Sequence, residues 1–127
     1  MQILPQHKKA IVQVEKLRDY ALNPNHPQGK DKARVFKATV GMERDHADAL
    51  REILISTLVR SPAVRGLNDQ HGERWITYHE LIGLSGQPVV VTAACIFRVE
   101  QVDLPVLISC YIEPQGPRKR EEALNLE

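Results

Sequence analysis

An α+β fold is predicted for this chain: short N-terminal helices packed on one face of a C-terminal antiparallel β-meander of three to four strands. Three observations predict it. Apolar residues recur at three- and four-residue spacing in the first half and at every second residue in the second half. The helical and strand-rich runs are segregated along the chain, the pattern of helices laid on an antiparallel sheet and not of alternating parallel βαβ units. The chain has 127 residues and is 43% hydrophobic, enough for one core and too little for two. A single domain is expected over residues 1–113, followed by a charged tail over 114–127.

The elements follow in order. Residues 10–14 (AIVQV) are β-branched and read as a short edge strand. The next stretch, EKLRDYAL, reads as a short helix with Leu17, Tyr20 and Ala21 on one side, ended by Asn23-Pro24. The segment NPNHPQG is a loop, because its prolines, asparagines and glycine break any regular element. KDKARVFKATVG gives a second helix with Ala33, Phe36 and Val40 inward and Gly41 as its stop. Asp45 is the expected N-cap of a third helix, whose Ala47, Leu50, Ile53, Leu54, Thr57 and Leu58 repeat until Ser61-Pro62. Residues 61–73 read as a polar connection. Three strands follow, ERWITYHELIG, PVVVTAACIFRVE and DLPVLISCYIE, parted by turn residues.

Alternation assigns the strand faces. Trp75, Thr77, His79 and Leu81 share one face, and Arg74, Ile76, Tyr78 and Glu80 the other. Val89, Val91, Ala93, Cys95 and Phe97 form a wholly apolar set, as do Leu104, Val106, Ile108, Cys110 and Ile112, so both sets are expected to face the helices. Arg74, Tyr78, Thr92, Arg98, Ser109 and Tyr111 then share the accessible face, provided the register holds. The tail, charged after Pro114 and Pro117, reads either as disordered or as a late helix used against a partner.

Composition excludes several classes. The net charge is +1, which argues against tight, sequence-independent coating of DNA. The charge is nonetheless uneven: residues 1–66 carry 12 basic and 7 acidic side chains, whereas residues 67–127 carry 5 and 9. No run approaches the ~20 apolar residues that a membrane-crossing helix needs, and the N-terminus does not read as a secretory signal, so a cytoplasmic protein is expected. Cys95 and Cys110 lie inside apolar runs without a ligand-spaced partner, so no metal site and no cofactor are expected. Walker, dinucleotide-binding, zincin and hydrolase-elbow motifs are absent from the sequence.

The run Leu17-x-x-Tyr20-x-Leu22-Asn23-x-x-His26-Pro27-x-Gly29-x-x-Lys32-Ala33-x-x-Phe36 resembles the signature of a family of small uncharacterised bacterial proteins, a domain of unknown function. Three later landmarks of that family find counterparts in His71-Gly72-Glu73-Arg74-Trp75, Val90-Val91-Thr92-Ala93-Ala94 and Leu107-Ile108-Ser109-Cys110-Tyr111. His71 stands where the family has tyrosine, Ala94 where it has a bulky aromatic and Ser109 where it has threonine. The resemblance covers roughly residues 9–113. More distantly, the arrangement is similar to the barnase, EndoU, colicin and RelE group of small nucleases, which implies metal-independent ribonuclease activity of the toxin type.

Cutting RNA without a metal requires a base for the 2′-hydroxyl, an acid for the leaving oxygen and cations for the phosphate charge. His26, followed by Lys30, Lys32 and Arg34 at the start of a helix, is the best candidate phosphate site. The competing reading is that the His26 ring merely shapes its loop through backbone hydrogen bonds and that the Lys32 stem covers apolar surface. On the nuclease reading His26, Lys32 and Ser109 are the catalytic candidates, while Lys30, Arg34, Arg74, Tyr78, Thr92 and Tyr111 bind substrate. The alternative is a non-catalytic interaction module that docks a cognate partner protein or a second copy of itself. The expected partners are therefore RNA or a protein. His46 and His79 read as surface or satisfied core residues.

Overall fold

The computed structural model describes residues 2–113; the tail predicted over 114–127 lies outside them. A short helix, α1 (Val14–Lys16), runs on into a π-helical turn over Leu17–Ala21. Two longer helices follow, α2 (Lys30–Val40) and α3 (Ala47–Thr57). The remainder is four strands, β1 (Ala63–Asp69), β2 (Gly72–Ile82), β3 (Pro88–Arg98) and β4 (Pro105–Ile112), in an antiparallel sheet of order β1-β2-β3-β4. The α+β class and the meander are as predicted.

The helices lie on one face of the sheet. Leu17, Leu22, Phe36, Leu50 and Leu54 pack with Trp75, Val91, Ala93, Cys95 and Phe97 into one buried cluster, so alternation assigned the faces of β2 and β3 correctly. Each large aliphatic or aromatic side chain buried there stabilises the fold by about 1.5–3 kcal/mol. Both cysteines are free and buried, and burial pushes their thiols up to about 12, which keeps them protonated. Helix α2 stops at Gly41, as expected: its backbone is left-handed (φ 71°), its N–H donates to Lys37, and the next N–H reaches Phe36.

Four expectations are corrected. The stretch 61–73 is not a simple connection, because residues 63–69 form β1, whose Val64 pairs with Ile76 and Ala63 with Thr77. It is an edge strand, exposed from Arg65 onward, and an edge exposed to water carries no apolar alternation to read. In β4 the alternation breaks at a bulge between the partners of Ala94 and Cys95, so Leu107 pairs with Cys95 and joins the core while Val106 pairs with Ile96 on the far face. Asp45 does not cap α3, which is entered through a 3-10 turn over Arg44–His46 where the Glu43 N–H donates to His46 Nδ1 at 3.0 Å. The edge strand expected over 10–14 shrinks to one parallel bridge: Ile11 donates to the Pro105 carbonyl (2.8 Å) and accepts from the Leu107 N–H (2.9 Å).

His79 fastens the helices to the sheet. It is 1% exposed, with Nδ1 2.6 Å from Thr57 Oγ1 and 3.2 Å from Ser61 Oγ, and Nε2 2.8 Å from Thr77 Oγ1. The hydroxyl protons of Thr57 and Ser61 go to the carbonyls of Ile53 (2.6 Å) and Thr57 (2.7 Å). The ring therefore carries its own proton on Nδ1 and accepts from Thr77 at Nε2. Burial holds it down to about 4, so it is the satisfied core histidine that the sequence allowed.

Candidate functional site

The motif loop and the last strand meet along the β4 edge. Lys32 projects from the first turn of α2, half-buried, with Nζ donating to the Tyr20 hydroxyl at 3.3 Å. The same ammonium lies 4.8 Å from the centroid of the Tyr20 ring and 5.7 Å from that of Tyr111, within cation–π range of both. Among the described residues no carboxylate pairs with Lys32. The sequence brings Lys32 and Tyr20 together because Gly29 lies against the Tyr20 carbonyl so closely that a Cβ there would collide with the carbonyl oxygen. The α2 entry can therefore press against the π-turn only with glycine at this position.

His26 completes the corner. Its ring stands edge-on to Tyr20, centroids 4.5 Å apart. Its Nδ1 accepts from the amides of Gln28 and Gly29, both at 3.0 Å, and its carbonyl accepts from Lys30. Two amides just ahead of the helix are thus taken by the ring, and the first amide of the helix itself by the His26 carbonyl. With Nδ1 accepting, the ring proton sits on Nε2, so in this conformation His26 presents a hydrogen-bond donor.

Ser109 sits at the β4 bulge and lines a surface groove with Tyr20, Glu15, Lys16, Asp19 and Ile108. Tyr20 is therefore the common neighbour of His26, Lys32 and Ser109. Arg18 and Arg44 clamp Asp19 at 3.1 and 2.9 Å and hold its carboxyl below the usual range. Tyr111 donates to Glu113 at 3.4 Å; burial first, then the Glu113 carboxylate, push its phenol up, so it keeps its proton near neutrality.

The other predicted residues are dispersed. Arg34 leans on Asp31 (3.5 Å) on the opposite side of α2 from Lys32, as positions two apart on a helix must. Lys30 is exposed. Arg74 pairs with Asp69 at 3.0 Å beside the β1–β2 hairpin; the Asp69 carboxyl, which also accepts the His71 N–H, is held low by that amide and by Arg74. The predicted sharing of a face holds, since Tyr78, Thr92 and Tyr111 form one cross-strand row and Ser109 pairs with Ala94 in the next. The predicted accessibility does not: Tyr78 and Thr92 are buried, at 5% and 3% exposure, because that face carries an apolar cluster of its own. Sequence reasoning missed Tyr20 and Glu113 as site neighbours. Tyr20 stood within the recognised run, whereas nothing in the sequence marks Glu113.

The family model for DUF6883, a domain of unknown function, matches residues 3–114. The chain belongs to that family. Among solved structures, this family member is similar to a chain of a contact-dependent growth inhibition toxin–immunity protein complex from Klebsiella pneumoniae 342, at 16% identity. The match covers 85% of this chain and 97% of that one with a TM-score of 0.56, which establishes a shared fold. No curated protein matches this chain. Among the described residues no helix is long and apolar enough to cross a membrane, and no three His, Cys, Asp or Glu side chains gather as a metal site would need.

Proposed function

We propose that this domain is a small ribonuclease of the toxin type that cleaves the RNA backbone by transesterification, with Lys32 at the centre of its site. The observation that carries this reading is the meeting of the H-P-x-G-x-x-K segment with the last strand: one ammonium beside two tyrosines, without a carboxylate partner among the described residues. In such a reaction the 2′-hydroxyl gives its proton to solvent water as its oxygen attacks phosphorus, the bond to O5′ breaks and the departing oxygen takes up a proton from water, leaving a 2′,3′-cyclic phosphate and a 5′-hydroxyl. Lys32 takes up the charge that grows on the phosphoryl oxygens. The Nε2–H of His26 and the protonated Tyr111 are donors for the phosphate or the leaving oxygen, Ser109 orients the scissile group, and Lys30 adds positive charge at the approach. The fold shared with a chain of a toxin–immunity complex is consistent with this role. The test is incubation of the purified full chain with total tRNA: wild type generates fragments ending in 2′,3′-cyclic phosphate and Lys32→Ala does not. Intact tRNA with wild type at micromolar enzyme overturns the proposal.

A second reading, a protein-binding module, is favoured by a separate groove lined by Pro5, Trp75, Phe97, Val99 and Val102. Val99 and Val102 are 60% and 73% exposed there, and apolar side chains presented around a concavity suit a partner protein. The neighbouring fold, solved in a complex with its partner, agrees with it. Val102→Asp is the variant that abolishes such binding while leaving RNA cleavage intact.

A further inference from the structure

Three lysines of the helical half stand in a row along the outer edge of β4. The N-terminal segment is pinned to that edge by Ile11, whose N–H donates to the Pro105 carbonyl and whose carbonyl accepts from the Leu107 N–H. Just ahead of the pin, Lys9 reaches Asp103, two residues before the strand begins, at 3.5 Å. Farther on, Lys16 lines the groove that holds Tyr20 and Ser109. Lys32 follows, its ammonium 5.7 Å from the centroid of the Tyr111 ring. Lys9, Lys16 and Lys32 thus succeed one another in the order of the residues they stand beside, Asp103, Ser109 and Tyr111. At about 3.3 Å per residue, the row measures roughly 25 Å.

Internal partners hold these charges only weakly. Lys9 and Lys16 are exposed. In the Lys9–Asp103 pair both side chains are more than half in water, at 52% and 60%. Such a surface pair contributes little and exchanges readily for a phosphate. Of the two carboxylates that line the groove, Asp19 is already clamped by Arg18 and Arg44, and Glu15 remains beside Lys16. The rings of Tyr20 and Tyr111 flank the Lys32 end. A row of cations with aromatic rings beside it is how proteins follow a single-stranded backbone, the cations taking phosphates and the rings taking bases. A single strand can also bend a phosphate into the half-buried corner where Lys32 sits, which a stiff duplex cannot.

We propose that the outer edge of β4 is a track for single-stranded RNA, on which Lys16 and Lys9 hold successive phosphates to one side of the scissile phosphate at Lys32. Taking the strand to be RNA rests on the ribonuclease reading; the two further lysines and the choice of unpaired RNA go beyond it. The substrate is then a loop or a free end several nucleotides long, and a dinucleotide engages only the Lys32 end of the row.

The test reads binding and not cleavage. The full chain is titrated, over a range of salt concentrations, with a fluorescein-labelled 2′-O-methyl octanucleotide of mixed sequence, which lacks the attacking hydroxyl. On a single strand each neutralised phosphate contributes about −0.7 to the slope of log K against log [salt], so three lysines give about −2. Lys9→Ala and Lys16→Ala are each expected to make the slope shallower by about 0.7 and to weaken binding several-fold. Glu15→Gln, which removes the carboxylate beside Lys16, is expected to tighten it. Lys37→Ala is the control: this exposed lysine pairs with Glu43 at 3.4 Å and lies around α2 from Lys32, so the slope should stay as in wild type. The proposal is overturned by a slope that neither lysine variant changes, or by an equal change in Lys37→Ala. Equal affinity for the dinucleotide or for the annealed duplex, or weaker binding by Glu15→Gln, overturns it as well. Lysine-dependent binding by a chain that leaves tRNA intact removes the ribonuclease reading and keeps the track. Cleavage of tRNA with the salt slope unchanged in both lysine variants removes the track and keeps the ribonuclease reading.

Discussion

Two polar clusters in this molecule are finished in opposite ways. Around His79 every partner is internal: the ring gives a proton to Thr57, takes one from Thr77, and lies 1% exposed at the junction of α3 and the sheet. Around Lys32 the ammonium has one phenol oxygen at 3.3 Å and the faces of two rings, but no carboxylate among the described residues. The two histidines carry the same contrast at the level of the proton, His79 protonated on Nδ1 and His26 on Nε2. A polar group completed inside the fold is a fastener, whereas a cation held only by soft partners at a surface edge retains its capacity for an anion.

The contrast breaks most sharply if Lys32 is removed. Lys32→Ala is expected to reduce RNA cleavage by about 10²–10³-fold, the loss typical of one preorganised charge-stabilising group, with a small change in melting temperature because the side chain is only half-buried. Cleavage rates on tRNA together with a thermal melt check it. A large fall in melting temperature without loss of cleavage would move Lys32 into the class of His79.

The fastener should show itself in acid. His79 lies at about 4 in the native state, lowered by burial first and by Arg60 second, against an ordinary 6.5 when unfolded. Above pH 6.5 neither state binds the proton and the group contributes no pH dependence. Between 6.5 and 4 the unfolded chain takes up a proton that the native chain refuses, so stability falls as pH falls, by up to about 3 kcal/mol; below 4 the loss levels off. Denaturant melts from pH 7.5 to 4 should show this slope in wild type and its disappearance in His79→Asn. An identical slope in the variant would place the acid sensitivity elsewhere.

How much of this contrast the sequence carried depends on whether each feature is local. The faces of β2 and β3 were legible because their alternation runs unbroken from Trp75 to Leu81 and from Val89 to Phe97. In β4 the same logic held at Cys110 and Ile112 but failed on the N-terminal side of Ser109, because a bulge is set by pairing with the neighbouring strand and leaves no mark in composition. β1 was missed because its outer residues, Arg65 to Asp69, are exposed. Lys32 and His26 were legible as a loop–helix motif, but Tyr20 acquires its position between them only when the π-turn packs on α2. That the His26 ring takes two loop amides was an alternative the sequence allowed and could not choose.

Gly29 is where local and tertiary requirements coincide. A Cβ at this position would meet the Tyr20 carbonyl, a backbone atom that cannot rotate away. Gly29→Ala is therefore expected to destabilise the fold by about 1–3 kcal/mol, as overpacking does, and to reduce cleavage further by separating Lys32 from Tyr20. Gly86, which has open space around its Cβ direction but a left-handed backbone (φ 85°), is the control. Gly86→Ala should lose about 1 kcal/mol and leave cleavage unchanged, so a parallel loss of activity in both variants would show that stability alone governs it.

The smallest expected effect is the most discriminating. Tyr20→Phe keeps the ring that meets His26 edge-on and underlies Lys32 and removes only the oxygen that accepts from Nζ at 3.3 Å. A single hydrogen bond involving a charged group, partly open to water, is worth about 1 kcal/mol, so cleavage should fall by roughly 3–10-fold, with the melting temperature shifted by a few degrees at most. If the phenol only anchors the lysine stem, the loss appears in kcat and KM alike and Tyr20→His restores part of it. If the phenol also donates to the substrate phosphate, kcat falls alone and the acidic limb of its pH profile is unchanged. Equal cleavage in Tyr20→Phe and wild type would mean that the aromatic faces suffice to hold the ammonium, and would leave Lys32 and Tyr111 as the pair on which the site depends.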